Sequence, residues 1–200
     1  MHLSQQRYLH ENNNMRRFLV IVLTAFVTSC ISALPTDQPL PADTNDAIMV
    51  ISTRINDQCV ESVKTVGLRV LGTTLRGRRE SLELVFKSDS LKPDFVDPSG
   101  YFIVRRVPAG DYYSFMLQKT GLKAGDLVSS ELSGGFTLHR GKINYLGEVT
   151  VTLPTCDHFK LAVSDQRKRD AALFDARMKH LKSSEFQTQL LRIGPSAPSR

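Results

Sequence analysis

Eleven residues about three-quarters of the way along the chain do most to limit its fold. Ile143-Asn144-Tyr145-Leu146-Gly147-Glu148-Val149-Thr150-Val151-Thr152-Leu153 carries Ile, Tyr, Val, Val and Leu at odd positions. Asn, Glu, Thr and Thr fill the even ones, with Leu146 the one exception. A period of two is the signature of a strand, because successive side chains there point to opposite faces. It predicts one buried face and one wet face. Phe159, Leu161 and Val163 continue the alternation into the next strand.

The same reading places strands at 47–55, 65–72, 81–88, 100–107, 111–119, 135–139, 142–153 and 158–164. They are short and closely spaced, and Gly72, Gly77, Asp97-Pro98-Ser99-Gly100, Pro108-Ala109-Gly110, Gly134-Gly135 and Gly141 divide them. Many short strands between turn residues argue a sandwich or a barrel. The expectation is a mainly β chain, an antiparallel sandwich over residues 47–164. After it the period changes. Asp165 can cap a helix to about Leu181, with Ala171, Phe174, Met178 and Leu181 on one amphipathic stripe. That stripe would pack on the sandwich; a helix lying on a membrane or a partner is the alternative. A second short helical turn is expected near Phe186 to Leu191, making 165–193 a helical segment and 194–200 a disordered tail.

Residues 97–112, Asp97-Pro98-Ser99-Gly100-Tyr101-Phe102-Ile103-Val104-Arg105-Arg106-Val107-Pro108-Ala109-Gly110-Asp111-Tyr112, form the most recognisable stretch. It resembles the hairpin of carboxypeptidase-regulatory-like and transthyretin-like sandwiches: a turn Gly, a Phe, then a hydrophobic–Pro–Ala–Gly–Asp–Tyr corner. Phe136-Thr137-Leu138-His139-Arg140-Gly141-Lys142-Ile143-Asn144-Tyr145 fits the pattern of an aromatic strand, a basic or Gly turn and a Tyr-containing strand in similar lipoproteins. The resemblance covers roughly residues 95–155 and implies a fold, not an activity.

The amino-terminal part reads as an address. Arg16 and Arg17 form a positive region, and Phe18 to Val27 an apolar one of ten residues. As a helix that stretch is about 15 Å long, half of a bilayer's hydrocarbon core. It suits export but does not span. Val27-Thr28-Ser29-Cys30 resembles the lipobox of bacterial lipoproteins. The resemblance implies a diacylglycerol on the Cys30 thiol, cleavage before Cys30 and acylation of its amino group, giving stable membrane anchoring. A plain secretory signal cut after Ile31-Ser32-Ala33 is the alternative. Met15 is the expected start, with 1–14 a gene-model extension, 15–29 the signal peptide and the Pro-rich stretch 30–46 a tether.

The formal charge of +6 falls to +4 once Arg7, Arg16, Arg17 and Glu11 are removed, with 23 basic and 19 acidic residues left. That mild excess favours anionic lipid surfaces and is too weak for nucleic acid. Arg76-Gly77-Arg78-Arg79 is the densest basic feature of the domain. It reads as a solvated hairpin tip, or as a contact for anionic headgroups or an acidic partner through Arg76, Arg78 and Arg79.

No catalytic constellation, metal site or cofactor site is visible. His139, His158 and His180 lack metal-ligand spacing. Cys156-Asp157-His158 invites a nucleophile reading, but adjacent strand residues point apart. Asp94, Asp97 and Asp111 cluster at a turn, where turn chemistry explains them more simply than Ca²⁺. Two cysteines remain once Cys30 is lipidated. An exported chain with an even count predicts a Cys59–Cys156 disulfide, against two separate buried thiols. Ile31 stands where Asp would resemble an inner-membrane retention signal. The expectation is a protein held by lipid on the periplasmic face of the outer membrane. It would serve an envelope partner as a non-enzymatic binding or scaffolding module. The alternatives are an accessory lipoprotein of a secretion or envelope assembly, and an envelope hydrolase.

Overall fold

The computed structural model describes residues 36–58, 63–121, 127–156 and 158–195. Eleven strands form: β1 (Asp46–Asp57), β2 (Thr65–Thr74), β3 (Arg79–Lys87), β4 (Phe95–Val96), β5 (Ser99–Pro108), β6 (Gly110–Thr120), β7 (Leu127–Leu138), β8 (Ile143–Leu153), β9 (Lys160–Ser164), β10 (Phe186–Thr188) and β11 (Arg192–Pro195). One helix, α1 (Arg167–Arg177), and a 3-10 turn at Ser183–Glu185 complete the described elements. The first sheet runs β10-β8-β1-β5-β4 with β9 also on β8, and the second runs β11-β7-β6-β2-β3.

The expected β-sandwich is present, with seven of the eight predicted strands close to their predicted positions; the strand expected at 135–139 begins eight residues earlier, as β7. The second sheet is antiparallel throughout. The first is mixed, because β8 lies parallel to both β1 and β10. Between the sheets lies the main core, built on Met49, Ile51, Leu68, Val70, Leu84, Phe86, Phe115, Leu117, Phe136, Leu138, Val149 and Val151. Tyr112 stacks on Phe136 with ring centroids 5.1 Å apart. A second core sits on the outer face of the first sheet, where Ile48, Val50, Phe102, Ile143 and Tyr145 pack against Phe174 and Leu181.

The two cores correct the reading of β8 as one apolar and one wet face. Ile143 and Tyr145 belong to the outer core, whereas Leu146, Val149, Val151 and Leu153 face the interior. Between Val50 and Ser52 of β1, the β8 register runs from Tyr145 to Glu148, one residue too many. This bulge flips the strand, so Leu146 is the first inward residue after the flip. Gly147 sits there at φ +90°, and a Cβ on it would lie 2.8 Å from Ser164 O. No other residue type accepts both the backbone and the contact without strain.

The segment 165–193 is helical only in part. The N-cap position is Gln166, without a side-chain cap bond, rather than the expected Asp165, which precedes it and accepts from the Arg167 backbone N–H at 2.8 Å. The helix stops at Arg177, and Met178 is extended at φ −100°, ψ 117°. Leu181 therefore reaches the outer core from non-helical chain. The turn expected near Phe186 to Leu191 is instead β10 and the chain leading to β11. Phe186 stacks on Tyr145 at 5.4 Å and meets Phe174 edge-on at 4.9 Å. Residues 194–195, expected in a tail, pair in β11 with Ser133 and Leu132; 196–200 lie outside the described residues. Backbone partners on open sheet edges outcompete the weak helical pattern here. The expected tether is also shorter than 30–46, since Leu40 packs against the outer core.

Candidate functional site

The chain enters the sandwich at an end built from three turns. Asn45 O accepts from Ala109 N–H at 2.8 Å, and Asp46 O accepts from Gly141 N–H at 2.8 Å. The β5–β6 corner and the β7–β8 turn are thereby tied to the lead-in. The β2–β3 hairpin joins them: Leu75 N–H donates to Ala109 O at 2.9 Å, and Gly77 N–H to Thr74 O at 2.8 Å. Gly77 takes φ +71° in open space, as this tight turn requires. The Asn45 carboxamide, turned with its oxygen toward the hairpin, accepts from Arg76 Nε at 3.2 Å and Nη2 at 2.7 Å. Arg106 Nε pairs with Asp46 Oδ2 at 2.8 Å. A cleft of about 420 Å³ lies between lead-in, hairpin and corner.

Arg76, Arg78 and Arg79 are all exposed at this end, and Arg140 and Lys142 of the β7–β8 turn join them, also exposed. Strand pairing causes the meeting, because Gly110 lies opposite both Thr74 and Leu138. Leu75, at the hairpin, is 56% exposed. Asp43, Asp46, Glu80 and Asp111 are acidic side chains at this end; Asp46 is taken by Arg106, and Asp111 accepts from the Thr137 hydroxyl at 2.7 Å.

A polar network missed by sequence reasoning crosses the outer face of the first sheet beside α1. Glu148 Oε2 accepts from Arg54 Nε at 3.0 Å and Arg169 Nη1 at 2.7 Å. Arg169 Nη2 pairs with Asp170 Oδ1 at 2.6 Å, and Asp170 Oδ2 accepts from the Tyr145 hydroxyl at 2.9 Å. Both guanidiniums lie over the Phe95 ring, at 4.3 and 4.5 Å from its centroid. Burial, reinforced by the Asp170 carboxylate, raises the Tyr145 hydroxyl far above its usual range. Desolvation pulls Arg169 down, but its hydrogen bonds to Asp170 and Glu148 outweigh this and leave it raised. With every carboxylate of the set engaged, the network braces α1 and the β4 loop. Only the Ser52 hydroxyl is buried without a partner among the described residues.

The other candidate residues are scattered. Cys30, Cys59 and Asp157 lie outside the described residues. Cys156 is disulfide-bonded and sits at the opposite end, where its carbonyl accepts from the buried Lys119. Gln58, next to Cys59 in sequence, donates its N–H to Leu153 O at 3.0 Å, close to the chain leading to Cys156. His158 Nδ1 meets the Thr155 hydroxyl at 3.1 Å. Asp94 is occupied by Phe102 N–H and by Arg177, each at 2.7 Å. Among the described residues no three His, Cys, Asp or Glu side chains gather as a metal site. No described helix is long and apolar enough to cross a membrane. Compared with protein-family models, with curated proteins and with solved structures, the chain matches none.

Proposed function

We propose that this chain is an envelope lipoprotein, anchored through lipid on Cys30 to the periplasmic face of the outer membrane. There it acts as a non-enzymatic binding or scaffolding module with a transthyretin-like sandwich. The observation that carries the reading is the side on which the chain enters. The lead-in docks from Leu40 onward, at the end of the sandwich with the basic hairpin. Nine residues stand between Leu40 and Cys30. Even fully stretched they reach no more than about 36 Å, so a lipid on Cys30 keeps that end within that distance of the bilayer. The opposite end and the outer face of the second sheet are left to a partner in the periplasm. A Cys59–Cys156 disulfide would tie the chain that follows β1 to the chain that follows β8, as suits a domain in an oxidising compartment.

Labelling cells with a fatty-acid analogue tests the anchor. Wild-type protein is expected to take up label and sediment with membranes, and Cys30→Ala to do neither. A Cys30→Ala chain that still carries label and sediments refutes the reading.

A further inference from the structure

We propose that the lead-in end of the sandwich is a membrane-contact face. Arg76, Arg78, Arg79, Arg140 and Lys142 engage the phosphates of anionic phospholipid headgroups, and Leu75 enters the interface beneath them. The proposal rests on the anchored reading above and deepens it by naming the surface that meets the lipid.

Three observations converge on this face. The first is the gathering of five exposed cations, from the β2–β3 hairpin and the β7–β8 turn, at one end of the sandwich. None of the five takes part in an ion pair among the described residues, whereas Arg106 at the same end pairs with Asp46 at 2.8 Å. Guanidinium groups bind phosphate oxygens in bidentate fashion, which suits a headgroup better than a bare point charge does. Asp43, Glu80 and Asp111 temper the field without pairing with these cations. The excess is therefore one that acts at short range, near an anionic surface, where each cation adds roughly a fivefold gain in partition.

The second observation is Leu75. It is 56% exposed on a turn fixed by its own N–H bond to Ala109 O. A leucine held out by a rigid backbone and flanked by arginines has the form of an interfacial anchor, with an apolar tip below and charges at headgroup level. The third is reach. The short tether keeps the face at high local concentration near the lipid, so contacts too weak to recruit the protein still orient it.

The chain contains no tryptophan, so one introduced indole reports alone. Leu75→Trp and, at the opposite end, Leu91→Trp are compared; Leu91 is 50% exposed. Each full lipidated protein is purified from membranes and reconstituted in vesicles of phosphatidylcholine alone or mixed with phosphatidylglycerol, with brominated acyl chains. In the anionic vesicles the Leu75→Trp emission is expected to shift to the blue and to be quenched at least twofold more than that of Leu91→Trp. Molar salt, or the triple substitution Arg76→Ser, Arg78→Ser and Arg79→Ser, should remove that excess. Equal quenching of the two variants, or an excess as large in phosphatidylcholine alone, overturns the proposal. So does a Leu75→Trp indole that stays wet on the vesicle but shifts when polyglutamate is added, which would assign the face to an acidic protein. Flotation with the vesicles reports the anchor separately: protein that floats without quenching refutes the face, and protein that does not float refutes the anchor.

Discussion

Glu148 holds the outer layer against the first sheet, and removing its carboxylate should be costly. Its side chain is 8% exposed and lies between two guanidiniums, Arg54 at 15% and Arg169 at 29%. Both cations are within 4.5 Å of the Phe95 centroid, hence no more than about 9 Å from each other. In Glu148→Ala they lose the shared carboxylate, and only Arg169 keeps an anion, Asp170. Their mutual repulsion, about 2 kcal/mol at an effective dielectric of about 20, is present in the wild type too, but the variant no longer offsets it. Lost hydrogen bonds add to it, and breaking a buried pair generally costs about 3–5 kcal/mol. The partial exposure of Arg169 puts this site at the lower end, about 3 kcal/mol. Glu148→Gln keeps an acceptor and should lose less. Arg54→Met removes one stranded cation, so the Arg54→Met/Glu148→Ala double variant should cost at least about 1 kcal/mol less than the two singles added. Urea unfolding followed by circular dichroism measures all of these, with the slope expected to stay constant while the midpoint moves. A loss below about 1 kcal/mol in Glu148→Ala, or strict additivity in the double variant, would refute the bracing role.

Phe174 is fully buried beneath α1, and Phe174→Ala should cost about 3–5 kcal/mol in the same urea assay, since Phe186 and Tyr145 cannot close the hole; a change under about 1 kcal/mol would place the helix outside the cooperative unit. Tyr112 donates to Pro108 O at 2.8 Å, so Tyr112→Phe should lose roughly 0.5–1.5 kcal/mol at neutral pH. Burial, with a smaller push from Glu80, raises the Tyr112 hydroxyl from 10 to about 12. The folded state therefore favours the neutral form: the stabilisation is complete below pH 10 and is lost as pH climbs to about 12, by at most about 2.7 kcal/mol. Stability measured across that window should fall less steeply in Tyr112→Phe than in wild type, and an equal slope would show that another group governs it.

Short-range pattern found the eight main strands because each presents a buried face to the sandwich interior. It misread β8 because both faces of that strand are apolar at its start, so the bulge leaves the odd-position run of Ile143, Tyr145, Val149 and Val151 unbroken in sequence. The end of α1 was hidden for a similar reason. Leu181 sits at helical spacing from Met178 and Phe174, yet an extended segment delivers it to the same core. Strands of three or four residues, such as β10 and β11, are too short to show a period at all. The basic hairpin was legible as a run of arginines. Arg140 and Lys142 join it only through pairing across the sheet, and Glu148 meets Arg54 across 94 residues, which leaves no local trace.

The last strands have a consequence for how the domain is made. β8 shares one edge between β9 and β10, and β7 is covered by β11, so residues 186–195 close an edge of each sheet. A chain produced from its amino terminus must keep those edges open until residues 186–195 arrive. β1, made early, also waits for β8, since Ile48 pairs with Ile143. Such long-range pairing is slow to form and leaves unpaired edges exposed meanwhile. A chain clipped before Phe186 would leave Tyr145 and Phe174 without their aromatic neighbour, an apolar surface that quality-control proteases recognise. The sandwich is thus sealed on both sheets only after residues 186–195 have been made.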